Sequence, residues 1–145
     1  MTDSIVIYTD GGCDPNPGPG GWAALILQDG HKTELMGADP DTTNNRMELT
    51  AAIQALRSLK TPTTVTLYTD SQYLQKGIDE WMPGWLARNW KASTGKPVLN
   101  QDLWKELLAV QKPHKVSWKW VKGHAGNVYN TRVDALVHEA RRSLK

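Results

Sequence analysis

The stretch IVIYTDGG (residues 5–12) returns in altered form as VTLYTDSQ (residues 65–72). Each is a short β-branched and aromatic run that stops on Tyr-Thr-Asp, leaving Asp10 and Asp70 at matching places. Such nearly continuous apolar runs suit strands covered on both faces of a sheet. Parallel neighbouring strands lie about 4.8 Å apart, so Asp10 and Asp70 would emerge side by side at the C-terminal edge. Open α/β sheets bind their ligands at that edge. The shared segment is too short, and its flanks too different, for a tandem repeat. Asp at a strand end also forms turns, and Asp70 could simply cap the next helix, so the pair alone does not establish a site.

Working outward, residues 4–9 form the first strand. GGCDPNPGPGG (residues 11–21) holds five Gly and three Pro in eleven residues and reads as a turn. Residues 22–27 form a second strand, Asp29-Gly30 a hairpin, and residues 31–37 a third strand. A helix is expected over residues 44–59, because Leu49, Ala52, Ile53 and Leu56 repeat at i, i+3, i+4, i+7. Residues 65–69 are the fourth strand. Ser71 caps a helix to about Glu80, which Pro83 and Gly84 interrupt. Residues 100–111 are helical, residues 115–121 form a fifth strand with one wetter face, and residues 128–142 form a last helix with Val133, Leu136, Val137 and Ala140 inward. The predicted fold is α/β, a five-stranded mixed sheet with helices on both faces. Strands one to three form an antiparallel meander, and strands four and five run parallel to strand one.

With 145 residues, 39% hydrophobic and 22% charged, the chain fits one ordinary domain over residues 1–145 and not a disordered chain. No run of eighteen apolar residues and no basic-then-apolar N-terminus appears, so neither a membrane span nor a secretory signal is expected. A lone cysteine, Cys13, suits a reducing cytoplasm, and a monomer is expected. Residues 1–50 hold eight acids against Lys32 and Arg46, a net −6; the remaining residues hold seven acids against fifteen bases, a net +8. That polarity suits a polyanionic partner approached by the basic part, although charges also solubilise surfaces.

Two adjacent carboxylates repel, and a divalent cation removes the conflict. Hard oxygen ligands without His or Cys select Mg²⁺ or Mn²⁺. Glu48 and Asp134 each sit one position before a buried-stripe residue, Leu49 and Val133, and so at the margin of an apolar face. Four carboxylates could place two metals about 4 Å apart, the arrangement used for phosphodiester hydrolysis. His124, flanked by glycines in KGHAGN (residues 122–127), follows the fifth strand and is a candidate for proton transfer.

YTDGGCDPNPGPGGW, TTNNRMELTAAIQAL, LYTDSQY and VKGHAGNVYNTRVDAL together resemble bacterial type 1 ribonuclease H, end to end. The resemblance implies the fold just described and Mg²⁺-dependent cleavage of the RNA strand of RNA–DNA hybrids, leaving 5′-phosphate and 3′-hydroxyl ends. It assigns metal binding and catalysis to Asp10, Glu48, Asp70 and Asp134, and proton transfer or product release to His124. Cys13, Asn16, Asn44, Asn45 and Gln72 match minor-groove contacts to the hybrid. Thr43 and Asn100 match a pocket for a DNA-strand phosphate, and Trp81 and Trp104 match a DNA-side channel, although both Trp also read as packing aromatics. Residues 81–99 match a basic handle, with Arg88, Lys91 and Lys96 unopposed by acids.

The chain departs from the family pattern in several places. Leu86, Ala87 and Leu99 stand where more basic residues are usual, Asp41 where Arg is frequent, and Pro15 where Gly is usual. Thr131, Val133 and Val137 also differ, which suggests repacking around Asp134. Other readings are a related metal-dependent nuclease or strand-transfer core, a non-catalytic hybrid-binding module, and a phosphate-sensing domain. The four carboxylates together with the NNRMEL and GHAGN contexts favour the hybrid nuclease.

Overall fold

The computed structural model describes residues 4–92, 94–121 and 128–144. Strands β1 (Ser4–Cys13), β2 (Gly18–Gln28), β3 (His31–Thr42), β4 (Thr64–Thr69) and β5 (Lys115–Trp120) form one sheet in the order β3-β2-β1-β4-β5. The first three are an antiparallel meander, and β4 and β5 run parallel to β1. The helices are α1 (Asn44–Arg57), α2 (Gln72–Lys76), α3 (Met82–Ala87), α4 (Gln101–Gln111) and α5 (Val128–Arg142). Among the described residues, no helix is long and apolar enough to cross a membrane.

Alternation along β1 explains the three layers. Ile5 and Ile7 point into a core shared with Leu49, Ile53 and Leu56 of α1 and with Trp104 and Leu107 of α4. Tyr8 points the other way, into a core with Leu25, Val133, Leu136 and Val137 beneath α5. The stripes of α1 and α5 are therefore buried as their periodicity predicts. Asp29 and Gly30 both take positive φ, 51° and 78°, the geometry of a tight two-residue hairpin turn.

Three expectations need correction. The glycine-rich segment is mostly strand: Gly11, Gly12 and Cys13 pair with Trp22, Gly21 and Gly20, and only residues 14–17 turn. Turn-forming composition was outweighed there by ladder hydrogen bonds that only the paired strand supplies. β3 likewise runs on to Thr42, beyond the expected Gly37. Finally, Pro83 does not interrupt the helix after Ser71. α2 passes through one widened turn (Gly77–Trp81), in which the Met82 N–H donates to Gly77 O, and emerges as α3 with Pro83 in its first turn. Pro83 has no N–H to donate, and the widened turn is where the helix gives up that one bond.

Candidate active site

β1 and β4 stay in register up to Thr9 opposite Thr69. The next residues, Asp10 and Asp70, leave this pairing together, as the doubled Tyr-Thr-Asp predicts. Two glycines on opposite faces of the β1–β2 ribbon admit the helices that bring the other carboxylates. A Cβ on Gly11 would stand 2.4 Å from the Met47 carbonyl carbon and 2.5 Å from the Glu48 nitrogen, so α1 rests its backbone on β1 beside Asp10. A Cβ on Gly21 would stand 2.8 Å from Val137 O, so α5 lies equally close from the other side.

Ligand oxygens of Asp10, Glu48 and Asp70 lie within 4.8 Å of one another. Asp10 is 7% exposed and Glu48 8%, too little for water to solvate their charges. Burial, then the charges of Asp70 and Asp134, push the Asp10 carboxyl up to about 8, against the opposing Gly11 N–H. Burial, then Asp10 and Asp70, push Glu48 well above the usual carboxylate range, opposed by hydrogen bonds from Gly11 and Ser71. Asp134 also hydrogen-bonds Asp10, joining the group from α5, and its Oδ2 is 3.8 Å from Nε2 of His138. Glu48 Oε1 is buried without a hydrogen-bond partner among the described residues. An unpaired buried carboxylate oxygen beside two more carboxylates is a poor arrangement for protons alone and a good one for a hard cation.

Around this cluster the proposed contact residues are tied to one another. Cys13 N–H donates to Asn44 Oδ1 at 2.6 Å, and Asn44 N–H donates to Asn16 Oδ1 at 3.2 Å. The β1–β2 turn is thus fastened to the start of α1, with Asn45 alongside and Gln72 exposed in the first turn of α2. Thr43 caps α1 by accepting from the Arg46 N–H, and Arg46 Nη1–H donates to Asn100 Oδ1 at 3.2 Å. Asn100 takes a left-handed φ of 60° at the start of α4, a conformation Asn tolerates, and its amide donates to Tyr73 Oη. Trp81 is half-buried against Tyr73 and Trp85. Arg88 is exposed, and its Nε–H donates to Lys91 O.

Trp104 requires a correction. It is 0% exposed, and its indole N–H donates to Tyr73 Oη at 3.0 Å. It has no surface to offer a substrate and serves as a core side chain beneath Trp85 and Tyr73. His124 lies outside the described residues.

Sequence reasoning missed three supporting groups. In the sequence, Gly11 reads only as part of a turn. Ser71 reads only as a cap; its oxygen accepts from the Leu74 N–H, which leaves its proton for Glu48. Trp120 donates its indole N–H to Asp70 O at 3.2 Å, pinning the end of β4 from β5. Only its place at the end of an alternating strand hinted at this role.

A sequence model of the RNase H family matches residues 2–142. The chain is 56% identical over 137 residues to the ribonuclease H of Thiobacillus denitrificans, covering 94% of this chain and 93% of that protein. It is 56% identical over 142 residues to the ribonuclease HI of Caulobacter vibrioides, covering 98% and 95%. Among solved structures it resembles LC9-RNase H1, a type 1 RNase H with the type 2 active-site motif. The TM-score is 0.87 at 31% identity, covering 100% of this chain and 75% of that one. The structure of LC11-RNase H1 in complex with RNA/DNA hybrid matches with a TM-score of 0.72 at 25% identity, covering 97% and 99%.

Proposed function

This chain belongs to the RNase H family and is an endonuclease of the RNA strand of RNA–DNA hybrids, and we propose that Asp10, Glu48, Asp70 and Asp134 carry its reaction around Mg²⁺, with Mn²⁺ as a substitute. The products would carry 5′-phosphate and 3′-hydroxyl ends. The observation that supports this site is the cluster of three carboxylates within 4.8 Å, one of them with a buried, unpartnered oxygen.

A divalent cation bound there supplies positive charge that polarises the phosphodiester and eases ionisation of a water. The protein's part is placement. Ser71 and the Gly11 N–H orient Glu48 while Oε1 stays free to ligate. Asp134 closes the set from the opposite face of the sheet. Cys13, Asn16, Asn44, Asn45 and Gln72 present short polar groups to the minor groove, where 2′-hydroxyls distinguish RNA from DNA. Thr43 and Asn100, joined through Arg46, would take a DNA-strand phosphate, with Arg88 and Trp81 contributing from the handle. His124 remains the proposed proton-transfer residue. The proposed setting is a cytoplasmic monomer.

The test compares a matched RNA–DNA hybrid with double-stranded RNA, double-stranded DNA and single-stranded RNA, in Mg²⁺ or in chelator. The expected result is cleavage of the hybrid's RNA strand alone, lost in chelator and in Asp70→Asn. Cutting of DNA, or activity surviving Asp70→Asn, overturns the proposal.

A further inference from the structure

Outside the carboxylate cluster, the end of α5 faces the β1–β2 turn across a cleft of about 490 Å³. Asp14 and Pro19 form one wall; His138, Arg141, Arg142 and Leu144 form the other. Two guanidinium groups and an imidazole therefore meet one carboxylate. Asp134, His138 and Arg141 stand at i, i+4, i+7, on one face of α5. His138 bridges them: Nε2 is 3.8 Å from Asp134 Oδ2, and Nδ1 is 3.4 Å from Arg141 Nη1. A row of side chains thus leads from the proposed metal ligands to the cleft.

Arg141 is placed but under-used. Its stem packs against Gly21, where a Cβ would come within 3.1 Å of Arg141 Cγ. Its Nη2–H donates to Asp14 O at 3.2 Å, and Asp14 Oδ2 is 3.7 Å away. Its Nε–H is buried with no hydrogen-bond partner among the described residues. Guanidinium offers five donors in a planar fork that matches phosphate, and the Arg141 Nη2 that reaches Asp14 is the end of that fork nearest the cleft's other wall.

The geometry points to this cleft as a subsite for a backbone phosphate of the RNA strand, about two nucleotides from the bond that is cut. Seven residues of helix span about 10 Å, or about two steps between backbone phosphates roughly 6 Å apart along one strand. The strand is the RNA because Thr43, Asn100 and the handle belong to the α1 and α4 side of the sheet, whereas the cleft continues from Asp134 on the α5 side. Asp14 also sits in the same turn as Asn16. The inference rests on the hybrid-nuclease reading and adds an anchor on the side opposite the handle.

The test measures hybrid binding in chelator between 50 and 200 mM salt for the wild type, Arg141→Gln and Arg142→Gln. Each variant is expected to flatten the slope of log K against log salt by about 0.9. Across that range the wild type then loses about 3.5-fold more affinity than a variant. Neutral methylphosphonates are next placed singly along the RNA strand. The wild type should lose affinity at one position about two nucleotides from the cut, and the variants should show no loss there. Arg142 is exposed, so Arg142→Gln decides the matter even if Arg141→Gln fails to fold. Unchanged slopes with identical methylphosphonate profiles overturn the subsite, while Mg²⁺-dependent hybrid cleavage by the wild type would leave the nuclease reading standing. A wild type that does not cut the hybrid overturns both.

Discussion

Gly11→Ala places a methyl carbon 2.4 Å from the Met47 carbonyl carbon, 2.5 Å from the Glu48 nitrogen and 2.6 Å from Met47 O. Ordinary contact begins near 3.4 Å, so the shortfall is about 1.0 Å. All three atoms are backbone, and no side-chain rotation relieves them. α1 must retreat from β1, and Glu48 moves with it, away from Asp10 and Asp70. Overpacking of this kind costs about 1–3 kcal/mol, a fall in Tm of about 3–10 °C for a chain of this size. A 1 Å displacement of a catalytic group costs on the order of 100-fold in rate. The assay is kcat on hybrid at 25 °C and saturating Mg²⁺, with Mg²⁺ affinity by calorimetry and a thermal melt to show that the variant is folded. Gly12→Ala is the control, since its Cβ would meet nothing nearer than Val137 Cγ1 at 3.7 Å, and it should be nearly neutral. A folded Gly11→Ala protein with kcat within about threefold of wild type and unchanged Mg²⁺ affinity refutes the idea that glycine sets the distance between helix and strand.

Without divalent cation, the folded carboxyls of Asp10, held near 8, and Glu48, held well above the usual carboxylate range, keep protons that the unfolded chain releases near pH 4. The folded state binds more protons between about pH 4 and pH 8, so the contribution of these groups to stability falls as pH rises through that window. Asp10→Asn should therefore be more stable than wild type in chelator at pH 7, by on the order of a few kcal/mol; a less stable variant in urea melts contradicts this. Mg²⁺ at ten times its Kd should add about 1.4 kcal/mol to wild type and much less to Asp10→Asn, as read by Tm. Trp104→Ala should destabilise the fold by about 3–5 kcal/mol; a rise in KM with Tm unchanged would restore the substrate-contact reading. Leu86 is 53% exposed and Ala87 is also exposed, so Leu86→Lys with Ala87→Lys should lower KM more than it raises kcat. An unchanged KM would remove the handle from the substrate path.

Much of this architecture follows from short-range pattern. Leu49, Ala52, Ile53 and Leu56, and Val133, Leu136, Val137 and Ala140, recur at helical spacing, and all are buried. Asp10 and Asp70 end matching runs because two strands share one register. Glu48 and Asp134 could be singled out because a carboxylate beside an apolar stripe is conspicuous in one dimension.

Other features depend on residues distant in sequence. The glycines of residues 11–21 have turn composition, and only pairing between β1 and β2, with helices against both faces, makes them strand. Trp104 could pack or meet solvent until Tyr73, Trp85 and Gly77 enclosed it. Arg141 suited the end of a helix, but its cleft exists only because the turn at Asp14 lies across from it. By itself, the sequence determined which faces are apolar and that Asp10 and Asp70 take matching places, because periodicity and short matching runs are local properties. Tertiary structure decided how closely α1 approaches Asp10, what is buried and where charges meet, because those depend on distances between segments that no local pattern encodes.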